Sequence, residues 1–150
     1  MKPLRPCADA GLSSIPEDLR TPEVCLEAVR CRGTELEHVP EPKRTPELCA
    51  EAVRKSCWAL RFVPRRLCTR KICLDALKQS GLALDGIPLD LRTPELCLIA
   101  VMNDGTALRH VPPALQTGAL CLVAVKQDGW ALEDVPEGER EAFVKQGKGE

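Results

Sequence analysis

The chain has no tyrosine, and its two Trp and two Phe leave aromatics at 3% of 150 residues. So few rings argue against an aromatic-rich β-sandwich, a sugar-stacking cleft or a base-stacking sheet. There is no run of 18 apolar residues to cross a bilayer. The N-terminus also lacks the charged-then-apolar stretch and small-residue cleavage site of a secretory leader. The expected compartment is a cytosol, unless an unrecognised signal delivers the chain to a host or target cell, and no membrane association is expected. A surplus of one charge is missing too: 21 Lys and Arg face 22 Asp and Glu, for a net charge of -1. A generic nucleic-acid or anionic-membrane binder would show a basic excess. The sequence contains no G-x-G-x-x-G after a strand, no P-loop, no H-E-x-x-H and no C-x-x-C.

What the chain does have is nine cysteines, ample apolar content at 44%, and a period. Cys25, Cys49, Cys73, Cys97 and Cys121 recur every 24 residues, and Thr21, Thr45, Thr69, Thr93 and Thr117 open five copies without insertion. The copies run 21–44, 45–68, 69–92, 93–116 and 117–140, each approximating T-P-E-L-C-L-x-A-V-x-x-x-G-x-A-L-x-x-V-P-x-x-L-R. Residues 7–20 fit the second half of a copy, with Leu12, Ile15, Pro16, Leu19 and Arg20 in register, and read as an N-terminal half-repeat cap. Residues 1–140 therefore read as a single helical repeat domain. Residues 141–150, anchored only by Phe143 and Val144, read as a flexible C-terminal tail.

One copy reads as a helix, a break and a second short helical piece. Thr at register 1 suits an N-cap, Pro at register 2 the first helical position, and Glu at register 3 the positive end of the macrodipole. Registers 4, 5, 8 and 9 form the apolar stripe of an amphipathic helix of about eleven residues. Gly33, Gly81, Gly105 and Gly129 at register 13 predict a left-handed residue closing that helix. Apolar registers 15, 16 and 19, stopped by Pro at 20, predict one or two turns of α or 3₁₀ helix. The third copy opens with Arg70 and Lys71 and the fifth with Gly118 and Ala119, so their helices are expected to start less firmly. A unit this small cannot bury its own apolar face, so the copies must stack. The expected fold is an all-α solenoid of right-handed type, five repeats long, in which the invariant Ala at register 8 lets neighbouring helices approach to about 8 Å.

The stretch C-L-x-A-V-x-x-x-G-x-A-L-x-x-V-P, clearest over Cys97 to Pro112 and Cys121 to Pro136, resembles a bacterial repeat family known as domain of unknown function 4116. The resemblance spans about residues 7 to 140. The layout is also similar to the leucine-rich repeat variant, a superhelix of alternating α and 3₁₀ helices. These resemblances imply the fold and a bacterial origin, and no activity.

The residues offer little for catalysis. The five periodic cysteines lie on the apolar stripe of helices whose axes should be about 8 to 10 Å apart, beyond disulfide reach, and read as buried reduced thiols. Cys7, Cys31, Cys57 and Cys68 show no zinc-ligand spacing, so no metal and no cofactor is expected. Cys7 and Cys31 share register 11 in adjacent units, which leaves a reversible disulfide open. The only histidines, His38 and His110, occupy register 18 three copies apart, roughly 25 to 30 Å at ordinary helix spacing, and cannot cooperate. The chain reads as non-enzymatic.

The informative positions vary between copies. Registers 14 and 18, one turn apart, pair Thr34 with His38, Trp58 with Phe62, Leu82 with Gly86, Thr106 with His110 and Trp130 with Asp134. Either these side chains face outward and encode a partner, or Trp58 and Trp130 fill gaps between repeats. Ile99, Met102 and Val123 make the helical face of the last two copies more apolar. Charge runs by copy as -1, +3, +1, -1 and -3, with Arg61, Arg65, Arg66, Arg70 and Lys71 clustered in the second and third. The favoured function is a protein-binding scaffold, whether inhibitor, immunity-type factor, adaptor or effector. Its binding residues would be Trp58, Arg61, Phe62, Arg65, Arg66, Arg70 and Lys71, with His38, His110 and Trp130 on the same variable registers, and its partner would carry an acidic patch. Nucleic-acid binding through residues 61–71 is the alternative.

Overall fold

Each repeat opens on a threonine because that hydroxyl closes a donor the helix would otherwise leave unpaired. Oγ1 of Thr21, Thr45, Thr69, Thr93 and Thr117 accepts the backbone N–H three residues on, at 3.2 to 3.3 Å. The computed structural model describes residues 11–147 and places five ten-residue helices behind these caps. They are α1 (Pro22–Cys31), α2 (Pro46–Lys55), α3 (Arg70–Gln79), α4 (Pro94–Asn103) and α5 (Gly118–Gln127). The third and fifth keep the threonine cap although they lack the Pro-Glu opening.

After each helix one extended residue turns the chain, and a six-residue 3₁₀ helix follows: Gly33–His38, Cys57–Phe62, Gly81–Gly86, Gly105–His110 and Gly129–Asp134. Proline ends each of these pieces. A further three-residue 3₁₀ turn, which the sequence pattern had not suggested, then leads to the next threonine at Glu41–Lys43, Arg65–Leu67, Leu89–Leu91 and Pro113–Leu115. The half-repeat cap appears as 3₁₀ turns at Leu12–Ser14 and Glu17–Leu19. Among the described residues every regular element is an α or 3₁₀ helix and there is no strand.

Glycine at register 13 does not act through a left-handed conformation. No described glycine has positive φ, and the helix-ending residue is the extended one before it, as with Arg32, Asp104 and Asp128. Glycine is needed for a different reason, namely closeness. A methyl group on Gly33 would collide with the backbone carbonyl oxygen of Ala52, one on Gly81 with that of Ala100, and one on Gly105 with that of Ala124. At these three positions the register 13 backbone thus rests directly on the register 8 carbonyl of the next copy, where a side chain has no room. Ala28, Ala52, Ala76, Ala100 and Ala124 are all buried.

The chain forms two compact units, Met1–Gln79 and Ser80–Glu150. In the first, Leu12, Cys25, Val29, Leu36, Cys49, Val53, Leu60, Cys73 and Leu77 make the core. In the second, Leu84, Ile87, Cys97, Val101, Leu108 and Cys121 do so. The sequence predicted a flexible tail from residue 141, whereas the structure carries a helix, α6, from Glu137 to Gly147. Glu141 stands where all five copies have the threonine that caps a new helix, and Ala142 where three of them have proline, so no new start interrupts α6 there.

A clamp absent from the sequence reading joins successive copies. Arg20 donates through Nε to the Ile15 carbonyl at 2.8 Å and through Nη1 to that of His38, in the next copy, at 2.7 Å. Arg44 repeats this with Val39 and Phe62, and Arg92 with Ile87 and His110. The register 24 side chain therefore satisfies the carbonyls that each 3₁₀ helix leaves exposed at its end. Two expected outcomes follow. Thr93→Ala should lower unfolding stability by about 1 kcal/mol for the lost cap. Arg92→Met should cost more, about 1 to 3 kcal/mol for charge-assisted bonds, and chemical denaturation of the two variants checks the order.

Candidate functional site

The 3₁₀ helix of the second copy turns Ala59 and Leu60 into the core, and so presents Trp58 and Arg61 to solvent. Trp58 is 44% exposed and Trp130 75%, so neither fills a gap between repeats. The Arg61 guanidinium lies 5.9 Å from the centre of the Trp58 ring, a cation–π contact worth about 0.5 to 1 kcal/mol at an exposed site. Phe62 is half-buried, and its carbonyl takes the Arg44 clamp. Arg65 and Arg66 stand exposed on the short 3₁₀ turn that follows, and Arg70 and Lys71 on the first turn of α3. No acidic residue occurs between Glu51 and Asp75 in the sequence.

The remaining variable positions divide between the two units. His38 is half-buried at the end of its 3₁₀ helix. His110 is half-buried as well, with Nδ1 3.4 Å from Asp85 Oδ1. Trp130 follows Asp128, whose Oδ1 accepts the Trp130 backbone N–H at 3.0 Å. In the second unit Pro94, Leu98, Leu115, Thr117, Ala119, Leu120 and Val123 line an apolar groove of about 270 Å³, and Met102 beyond it is 57% exposed.

Cys57 in place of glycine alters the second copy locally. The Gln79 side chain bridges the helix ends there: its Oε1 accepts the Cys57 N–H at 3.0 Å while Nε2 donates to the Val53 carbonyl at 2.6 Å. Glu35 at register 15, where the other copies have alanine, is buried and accepts the Leu12 N–H at 2.8 Å while pairing with Arg32 at 2.6 Å. That carboxylate ties the half-repeat cap to the first copy.

The periodic cysteines are buried free thiols. Burial pushes the thiols of Cys25, Cys49, Cys97 and Cys121 up, Cys49 to about 11, against the lowering influence of Arg44 and Arg66 nearby. Cys31 is disulfide-bonded, and Cys7, the partner considered in the sequence, lies outside the described residues. The pairing that sequence reading missed is Cys68 with Cys73, whose Sγ atoms are 3.5 Å apart and buried. The signal was available: Cys68 occupies register 24, where the other copies have Arg or Gln. Among the described residues no three His, Cys, Asp or Glu side chains form a group able to hold a metal ion, and no helix is long and apolar enough to cross a membrane.

Residues 45–92 and 69–116 each match the family model described as domain of unknown function (DUF4116). No curated protein and no solved structure matches the chain. The two matched spans are 48 residues long and offset by 24, so each covers two copies of the repeat found from the cysteines and threonines.

The raised thiols predict an alkaline weakness. In the folded chain they stay protonated above the ordinary thiol value of about 8.5, at which the unfolded chain already ionises. Their stabilisation is complete below that value and, for Cys49, is lost as pH rises through about 11. Urea midpoints measured from pH 8 to 11 should fall less steeply for Cys49→Ala than for the parent, by at most about 1.4 kcal/mol per pH unit. Equal slopes would contradict this assignment.

Proposed function

We propose that this chain, a run of DUF4116 repeats, is a non-enzymatic protein-binding scaffold whose five copies continue one another as a right-handed solenoid and whose second copy docks a partner bearing an acidic patch. The observation that carries the reading is the exposed Trp58 with Arg61 over its ring, flanked by four further exposed cations. An exposed tryptophan serves no purpose in the chain's own core. Tryptophan and arginine are also the residues that most often dominate interface energies. Arg61 holds the ring in place, so less side-chain freedom is lost on docking. Arg65, Arg66, Arg70 and Lys71 then act at the rim, where charge governs encounter more than residence.

Nucleic acid is the second reading, since an exposed Trp among cations also suits stacking on a single strand. A salt titration separates the two: neutralising several phosphates gives a log–log slope of several units.

The test begins with a partner recovered from a lysate of the source organism and identified by mass spectrometry, then measures its association with folded variants. Trp58→Ala should speed dissociation with a loss of about 2 kcal/mol or more. Arg65→Glu with Arg66→Glu should instead slow association and change its salt dependence. If both variants bind as the parent does at low salt, the interface lies elsewhere.

A further inference from the structure

We propose that Cys68 and Cys73 form a peroxide-reactive dithiol site, which a small hydroperoxide oxidises to an intrachain disulfide. The repeat itself builds the pair. The periodic thiol points back at the residue five positions earlier: Cys25 Sγ lies 3.6 Å from the Arg20 carbonyl oxygen and Cys97 Sγ 4.0 Å from that of Arg92. That earlier residue is register 24, and in the other copies its Arg or Gln side chain leads away to carbonyls of the 3₁₀ helices. At Cys68 the clamp is given up. A cysteine cannot reach those carbonyls, and its Sγ instead meets Cys73 Sγ at 3.5 Å.

The two thiols are not equivalent. Both residues are buried, Cys73 at 1% exposure and Cys68 at 8%, so Cys68 is the one nearer to solvent. Cys68 also sits between Arg65 and Arg66 on one side and Arg70 and Lys71 on the other, in the stretch without acidic residues. Access is one of the conditions on which thiol reactivity depends, and of the two sulfurs it favours that of Cys68. The hydrogen bond from the Cys73 thiol holds Cys68 below the ordinary thiol value, and the same bond pushes Cys73 up. Cys68 is therefore the attacking sulfur and Cys73 the resolving one.

The chemistry balances with the hydroperoxide as sole oxidant. The Cys68 thiolate attacks the terminal peroxide oxygen, forming an S–O bond as the O–O bond breaks. The departing alkoxide takes up the proton that Cys68 released, leaving Cys68 as a sulfenic acid. Cys73 sulfur then attacks the Cys68 sulfur, the S–S bond forms, and the S–O bond breaks. Hydroxide leaves with the Cys73 proton as water. Two thiols lose two electrons, and one hydroperoxide becomes an alcohol and water.

The full chain, treated with near-stoichiometric hydrogen peroxide and digested with trypsin, tests this by mass spectrometry. Cleavage after Arg66, Arg70, Lys71 and Lys78 places Cys68 on peptide 67–70 and Cys73 on peptide 72–78. The expected product is these two peptides joined by a disulfide, formed before any other thiol is oxidised. The rate should rise with pH to a plateau whose midpoint lies below that of the same reaction of a free cysteine. In Cys73→Ser the Cys68 sulfenic acid should persist and be trapped by a cyclic 1,3-dione. Cys68→Arg restores the residue found in other copies, so it should fold, and should consume peroxide at least about tenfold more slowly. Oxidation starting at another cysteine, over-oxidation of Cys68 without the cross-link, or an unchanged rate in Cys68→Arg would each overturn the proposal.

Discussion

A glycine backbone pressed against an alanine carbonyl is the contact on which the repeat depends. Gly33, Gly81 and Gly105 meet Ala52, Ala100 and Ala124 so closely that a methyl group has no room. Once that spacing holds, the rest follows from geometry. The apolar stripe of each helix is covered, a thiol is the right size for register 5, and the register 24 side chain reaches the carbonyls at the end of the next 3₁₀ helix. Large outward positions cost the stack nothing, which leaves them open to vary.

The departures from this plan concentrate in one stretch. Between residues 57 and 73 the chain replaces the glycine with Cys57, the clamp with Cys68 and the Pro-Glu opening with Arg70 and Lys71. The same stretch places Trp58, Arg61, Arg65 and Arg66 at the surface. Each change weakens a device that the other copies use for stability. Compensation is partial and visible: Gln79 spans the ends of α2 and the following 3₁₀ helix, and Thr69 still caps α3. Sites that break local rules while keeping their fold are where function concentrates.

The period made most of the fold legible. The periodic threonines and the stripe at registers 4, 5, 8 and 9 located α1 to α5 to within a residue, and proline located the end of each 3₁₀ helix. Glycine was read correctly in position and wrongly in reason, because a small residue is equally demanded by positive φ and by a neighbouring backbone, and only coordinates tell these apart. The arginine clamp escaped notice since a surface arginine at fixed period looks like a solvated one until its carbonyl partners are known. Helix α6 was missed because absence of a breaker is a weaker signal than presence of one. As for the candidate site, the exposure of Trp58 was undecidable from pattern alone, and the Cys68 to Cys73 contact required knowing where a periodic thiol points.

The glycine–alanine contact can be tested against an internal control. Gly129 occupies the same register as Gly105, yet an added methyl would meet nothing within 4 Å. Equilibrium unfolding of Gly105→Ala and Gly129→Ala, compared with the parent, isolates the contact from the propensity of alanine itself. The account predicts that Gly105→Ala loses about 1 to 3 kcal/mol from overpacking, while Gly129→Ala is unchanged or gains up to about 1 kcal/mol from reduced freedom in the unfolded chain. Equal effects at the two positions would show that glycine serves the local turn and that the spacing of the copies rests on something else.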